Sequence, residues 1–188
     1  MVATLREYYR PATLDEAIAL LARRDRRLLP LAGGTTLIGQ LETGALRDID
    51  GVVDLQGLGL EAIRREGDLL RIGAMATLST LINDENAGAL ANGLLRRAAQ
   101  GEGPVNFRNA ATVGGLAALA AYDSEFYAAL LALDASVAIY NGRRTLTVPL
   151  AQLGPVEGLV TEVQLPLAER RGGAARVART PSDRPIVA

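Results

Sequence analysis

Apolar positions recur at helical spacing near the start of the chain and at strand spacing soon after. Leu14, Ala17, Ile18 and Leu21 form a helical stripe. Thr13-Leu14-Asp15-Glu16 precedes it as a capping box, with Thr13 as N-cap and Glu16 three residues on. Arg23, Arg24, Arg26 and Arg27 are expected to close that helix region, where positive charge suits the negative end of the dipole. Leu28 to Leu31 reads as a short buried strand that ends at Gly33-Gly34. Thr35 to Ile38 should open a short helix, and Gly51 to Leu55 is a second buried strand.

After Leu55 the pattern changes. Ala62 to Glu66 and Leu69 to Ile72 flank Gly67-Asp68 as a hairpin. Thr77 is placed to cap a helix carrying Leu78, Leu81 and Ile82. Leu90, Leu94, Leu95 and Ala98 make a further helical stripe, and Asp123 to Leu133 another helix. Ser136 to Tyr140 and Arg143 to Val148 flank Asn141-Gly142, the strongest hairpin signal in the chain. Leu159 to Leu165 alternates like a strand. The reading is an α+β protein of two lobes, a small α/β lobe over residues 1–55 and a larger lobe over residues 56–188 with an antiparallel sheet and helices. The stretch from Ala168 to Ala188 is expected to be loosely ordered.

Composition narrows the chemistry. The chain has 188 residues and a formal net charge of −1, so no basic stripe invites nucleic acid. It has no Cys, no His and no Lys; every positive side chain is Arg. A disulfide framework, a thiolate-held cluster or zinc, a His-based triad, a Schiff base and a phosphate-binding lysine are all excluded. Redox or group-transfer chemistry here needs a borrowed cofactor. The longest apolar run is far short of a membrane span, and Met1 to Glu7 lacks the pattern of a secretory signal, so a cytoplasmic protein is expected.

Two glycine-bearing segments stand out. The first is Leu31-Ala32-Gly33-Gly34-Thr35-Thr36-Leu37. Paired glycines let backbone N–H groups approach a diphosphate closely, and the threonines add hydroxyl donors. Taken alone, such a segment reads more readily as a tight turn between strand and helix. The second, Phe107 to Gly115, ends in Ala111-Thr112-Val113-Gly114-Gly115 and has the same parts. One such loop from each lobe would suit a dinucleotide lying in the crevice between lobes.

At these residues the chain resembles the FAD-binding domain of the flavoprotein subunit of the xanthine dehydrogenase and carbon monoxide dehydrogenase (molybdenum hydroxylase) family. The likeness runs through Tyr8-Tyr9-Arg10-Pro11, Leu14 to Ala17, Leu31 to Thr35, Val53-Asp54-Leu55 and Arg71-Ile72-Gly73-Ala74. Its most specific element is Arg108 to Gly115, and Leu130 to Ala135, Val148-Pro149-Leu150 and Val163 to Pro166 follow in order. The resemblance implies a two-lobed PCMH-type FAD-binding fold that holds FAD non-covalently. In it Pro30, Leu31, Ala32, Gly33, Gly34, Thr35, Thr36 and Leu37 wrap the diphosphate. Ala111, Thr112, Val113, Gly114 and Gly115 hold it from the other lobe. It further places Ser124-Glu125 near the ribityl and phosphate region, Val160 near the isoalloxazine, and Arg176 as a late basic residue. It implies no catalytic side chain; for Asp123, Glu125 and Arg108 structural roles are favoured over acid–base ones.

The chain departs from the family pattern at several places. Leu116 stands for the usual Asn, Ala121-Tyr122 for Ser-Pro, Glu125 for Asp, and Thr36 for a common acidic residue. Relatives are also expected to continue into a third domain beyond the region of Asp183. The implied function is passage of electrons from iron–sulfur clusters through FAD to NAD⁺, oxygen or another acceptor, beside an iron–sulfur subunit and a molybdopterin-binding subunit. Two alternatives stay open: a module of the same fold that has lost the flavin, and a stand-alone flavoprotein reductase or oxidase.

Overall fold

A computed structural model of the chain describes residues 5–169 and 171–180. Residues 1–4, with the start of the expected leaderless N-terminus, and residues 170 and 181–188 of the expected loose ending lie outside the described residues. Residues 171–180 form no helix or multi-residue strand.

The first sheet is parallel throughout. It comprises β1 (Glu7–Tyr9), β2 (Leu28–Leu31) and β3 (Gly51–Asp54) in the order β1-β3-β2, with α1 (Leu14–Leu21) and α2 (Leu37–Glu42) as crossovers. Thr13 caps α1, its Oγ1 accepting from the Glu16 amide at 3.2 Å, and the Glu16 carboxylate accepts from the Ala12 amide at 3.0 Å. Gly51 lets central β3 approach β1, because a Cβ there would lie 2.3 Å from the Glu7 carbonyl oxygen.

The arginine cluster does not finish α1, which has no basic residue in its last turn. Arg23 instead pairs with Asp25 at 2.8 Å and Arg26 with Glu7 at 2.8 Å, while the Arg27 amide donates to Asp50 at 2.8 Å. Direct carboxylate partners displaced the weaker pull of a helix end. Arg26 holds the Glu7 carboxyl below its ordinary value, chiefly by hydrogen bonding.

The second sheet is antiparallel, in the order β4-β5-β8-β6-β7. Its strands are β4 (Ile63–Glu66), β5 (Leu69–Gly73), β6 (Ser136–Tyr140), β7 (Thr145–Pro149) and β8 (Leu159–Pro166). Between β5 and β6 run α3 (Leu78–Asn83), α4 (Glu85–Ala89), α5 (Leu94–Gly101), α6 (Val105–Ala110), α7 (Val113–Ala118) and α8 (Glu125–Ala132). Leu70, Ile72, Val137, Val163 and Leu165 point one way and form a core with Leu78, Leu81, Leu95, Val113, Phe126 and Leu130 of the helices. The other face is polar: Glu162 takes Arg64 at 2.7 Å and Arg71 at 2.8 Å. Both hairpins expected from sequence are present. The stripe from Leu90 to Ala98 is broken, since Ala91 and Asn92 have left-handed backbone and α5 begins only at Leu94.

A smaller core sits under the first sheet. It gathers Ala17, Leu28, Val53 and Leu55 with two residues from much later in the chain, Met75 and Leu159. The architecture is thus a mixed helix-and-sheet arrangement with one parallel and one antiparallel sheet, as the sequence leads one to expect.

Candidate functional site

A cavity of about 380 Å³ opens between the two sheets. One wall is the turn after β2, with Pro30, Ala32, Gly33, Gly34, Thr35, Thr36 and Leu37 on its surface. A second is α7, presenting Thr112, Gly114, Gly115, Leu116 and Leu119. Ala74 and Met75 and the start of β8 at Gly158, Leu159 and Val160 complete it. None of its lining side chains is charged.

The two glycine segments face each other, and they are built differently. In the first turn Gly34 has φ +73°, a left-handed conformation that suits glycine. A Cβ on Gly33 would stand 1.8 Å from the Ala110 carbonyl oxygen, so this glycine serves contact between the two turns. The amides of Gly34, Thr35 and Thr36 donate to no acceptor among the described residues. They lie where β2 gives way to α2, whose first turn closes with the Ile38 amide on the Gly34 carbonyl at 2.9 Å.

The second segment is not a loop. Phe107 to Ala110 belong to α6, and Val113, Gly114 and Gly115 are the first turn of α7 with Thr112 as N-cap. Its amides are already used. Val113 donates to the Ala76 carbonyl and Gly114 to the Ala74 carbonyl, both at 2.9 Å. Gly115 donates to the Thr112 Oγ1 at 3.2 Å. Gly114 is small because Ala74 lies against it, a Cβ there falling 2.4 Å from the Ala74 Cβ. Gly115 is the open one: a Cβ would meet only the Thr112 hydroxyl at 2.8 Å and the Ala32 Cβ at 4.0 Å. What this side offers a ligand is a hydroxyl proton and a bare helix surface.

Of the residues expected at the site, Leu31, Ala111 and Val113 do not line the cavity. Ala111 and Val113 are buried in the helical core instead. Ser124, Glu125 and Arg176 also stand off it. They do come together: Arg176 pairs with Glu125, while Ser124, 2% exposed, caps α8 and donates to Glu102 at 2.6 Å. The Ser124–Glu102 bond holds the start of α8 to the end of α5, and the Glu125 carboxylate is taken up by Arg176, roles that local spacing does not reveal. Leu116 turns an apolar side chain to the cavity, and Tyr122 is 83% exposed, edge-on to Tyr127.

Sequence reasoning passed over Met75, Leu159 and Gly158. Gly158 has φ +130° and lies under the Tyr140 carbonyl, where a Cβ would fall 2.3 Å from the oxygen. The family-like run ending at Gly73-Ala74 was the available signal for this wall. Nearby, Asp54, 3% exposed, fixes the exit of β3 toward Leu55. It accepts from Tyr8 and from the Gln56 amide at 3.0 Å, and the bond to Asp54 raises the Tyr8 hydroxyl above its ordinary value.

No group of His, Cys, Asp and Glu among the described residues could hold a metal ion. No helix among them is long and apolar enough to cross a membrane.

Comparison with known proteins fits this geometry. Residues 3–168 match the family model for the FAD binding domain in molybdopterin dehydrogenase. The chain is 34% identical over 148 residues to the xanthine dehydrogenase FAD-binding subunit of Escherichia coli O157:H7, covering 76% of this chain and 49% of the relative. It is 30% identical over 154 residues to the nicotinate dehydrogenase FAD-subunit of Eubacterium barkeri, covering 81% and 51%. The chain therefore spans about half the length of these relatives. Among solved structures, reconstituted CO dehydrogenase from Oligotropha carboxidovorans superposes with a TM-score of 0.86 at 27% identity, covering 98% of this chain and 68% of that one. Quinoline 2-oxidoreductase from Pseudomonas putida 86 shares the fold, with a TM-score of 0.85 at 23% identity over 99% of this chain and 67% of that one. With the family model spanning most of its length, this chain belongs to the FAD-binding domains of the molybdopterin dehydrogenases.

Proposed function

We propose that this chain is the FAD-holding electron-transfer component of a molybdenum hydroxylase-type oxidoreductase. It would work in the cytoplasm beside an iron–sulfur subunit and a molybdopterin-binding subunit, and hand electrons to NAD⁺, oxygen or another acceptor. The observation that carries the reading is the first turn: Gly34, Thr35 and Thr36, whose amides have no acceptor among the described residues, line an uncharged cavity that Thr112 lines from the other side. That donor set fits a diphosphate, which accepts hydrogen bonds at close range and tolerates no side chain in the way.

The grip is asymmetric. The amides of Gly34, Thr35 and Thr36 and the hydroxyls of Thr35 and Thr36 hold the diphosphate from one side. Thr112 donates its hydroxyl proton from the other, since its oxygen already accepts from Gly115. Met75, Leu116, Leu159 and Val160 supply apolar walls that exclude water. FAD, when bound, supplies the capacity to take electrons singly and release them as a pair. No side chain here acts as nucleophile or metal ligand. Ser124, Glu125 and Arg176 are left out of the binding set, because their polar atoms are engaged elsewhere.

Purification followed by a visible spectrum, with and without added FAD, tests the reading. A flavin spectrum, and a stability gain of about 2.7 kcal/mol at a hundred times the dissociation constant, are expected. A colourless protein whose melting temperature ignores FAD would favour the flavin-free module, a reading that Leu116 at the cavity wall supports.

A further inference from the structure

The two sheets are tied together in two ways. One is packing: Gly33 abuts the Ala110 carbonyl, and Met75 and Leu159 enter the core beneath the first sheet. The other tie is made of side chains. The Tyr140 hydroxyl, at the end of β6, donates to the Asp15 carboxylate in the first turn of α1. The partners are 125 residues apart in sequence. Beside them Gly142, φ +87°, brings the hairpin tip against α1, leaving only 3.0 Å between an added Cβ and the Ile18 Cγ2.

This second tie connects directly to the cavity wall. Tyr140 pairs with Leu159, and its carbonyl sits over Gly158. Gly158, Leu159 and Val160 line the cavity, while Leu159 packs with Ala17, Leu28 and Val53 in the core of the first sheet. A displacement of Tyr140 relative to α1 therefore moves one wall of the cavity relative to the turn at Gly33 to Leu37.

The geometry points to Tyr140 and Asp15 as positioning residues: their hydrogen bond sets the width of the cleft and thereby the rate at which its dinucleotide leaves. This rests on the FAD reading given above. Neither residue touches the cavity. The tie acts through β8, so its loss changes release more than it changes the donors available for capture.

The test uses the full chain and FAD itself. Release is followed by the return of flavin fluorescence after dilution. Tyr140→Phe keeps the ring and removes only the hydroxyl, and it is expected to speed release about 5- to 10-fold, the net worth of one ordinary hydrogen bond at this solvent-exposed position. Asp15→Asn should do the same, and the double variant should be no faster than the faster single one, since both remove one interaction. Leu146→Ala, on edge strand β7, serves as the comparison; it lowers stability and leaves release unchanged. Amide hydrogen exchange across residues 156–160 in the ligand-free protein gives a second readout, with faster exchange expected in Tyr140→Phe than in Leu146→Ala. A release rate in Tyr140→Phe within about twofold of the parent, or equal to that in Leu146→Ala, overturns the inference. Should the parent chain bind no FAD, the functional reading fails by itself; unchanged exchange at 156–160 in Tyr140→Phe would then overturn the tie separately.

Discussion

The two glycine segments look alike on paper and do opposite work. Each sets a glycine pair beside a threonine. In the first, the chain leaves a strand, takes a left-handed residue at Gly34 and keeps three amides unspent. In the second, the chain passes from helix to helix, and the crossing at Ala74 to Ala76 consumes the amides of Val113 and Gly114. Smallness is used for different ends as well. Gly33 and Gly114 make room for protein backbone, whereas Gly115 leaves space at the cavity surface. Whether a glycine turn is a binding device depends on where its N–H groups go, and composition does not record that.

The difference can be broken most severely at Gly33. Gly33→Ala drives a methyl group into the Ala110 carbonyl, and neither backbone can yield cheaply. A loss of about 2–3 kcal/mol, read as a fall of roughly 5–10 °C in melting temperature, is expected, and FAD binding should fall with it. Gly115→Ala asks the sharper question. Its Cβ meets no backbone, only the Thr112 cap hydroxyl at 2.8 Å, which must give way; the helix preference of alanine offsets part of that cost, so the melting temperature should fall by less than about 5 °C. The methyl group does enter the space between the turns, and FAD affinity should drop about tenfold by titration. Equal losses of stability and affinity at both positions would erase the distinction drawn here.

A smaller effect concerns pH. Hydrogen bonds to Asp54 and Asp15 raise the hydroxyls of Tyr8 and Tyr140 above the ordinary 10.0. A raised folded-state value contributes stability that is complete below pH 10.0 and is lost as pH rises through the folded value. Melting curves should therefore be unaffected by these groups at neutral pH and should decline above that point, less steeply in Tyr8→Phe and Tyr140→Phe. The smallest expected effect is on salt dependence. The first turn offers neutral donors, and no charged side chain lines the cavity, so FAD affinity should change less than about twofold between roughly 0.05 and 0.5 M salt. A steep salt dependence would mean that an arginine reaches the ligand.

Local chemistry in the sequence identified most elements it could see. Thr13 with Glu16, Gly67-Asp68 and Asn141-Gly142 each act through neighbours within a few residues, and each formed the feature expected. The second glycine segment was read as a loop because α7 is only six residues long and is secured by Ala74 and Ala76, far away in sequence. The same reason hides the roles of Ser124, which donates to Glu102 22 residues back, and of Glu125 and Arg176, which pair across 51 residues; no spacing rule names such partners. The arginines after α1 were assigned to a helix end when carboxylates at Glu7, Asp25 and Asp50 were nearer. At the cavity, the glycine turn and Val160 were legible; Met75 and Leu159 were not, because their burial depends on the meeting of two sheets.

Met75 and Leu159 carry a further consequence. They complete the core beneath the first sheet, yet one arrives 20 or so residues after its last strand and the other about a hundred, a separation typical of slow, non-local assembly. A fragment cut after the third strand would leave Ala17, Leu28 and Val53 without part of their covering, and would expose the parallel ribbon before its lid had been synthesised. On the ribosome the small sheet should therefore mature last, although it emerges first.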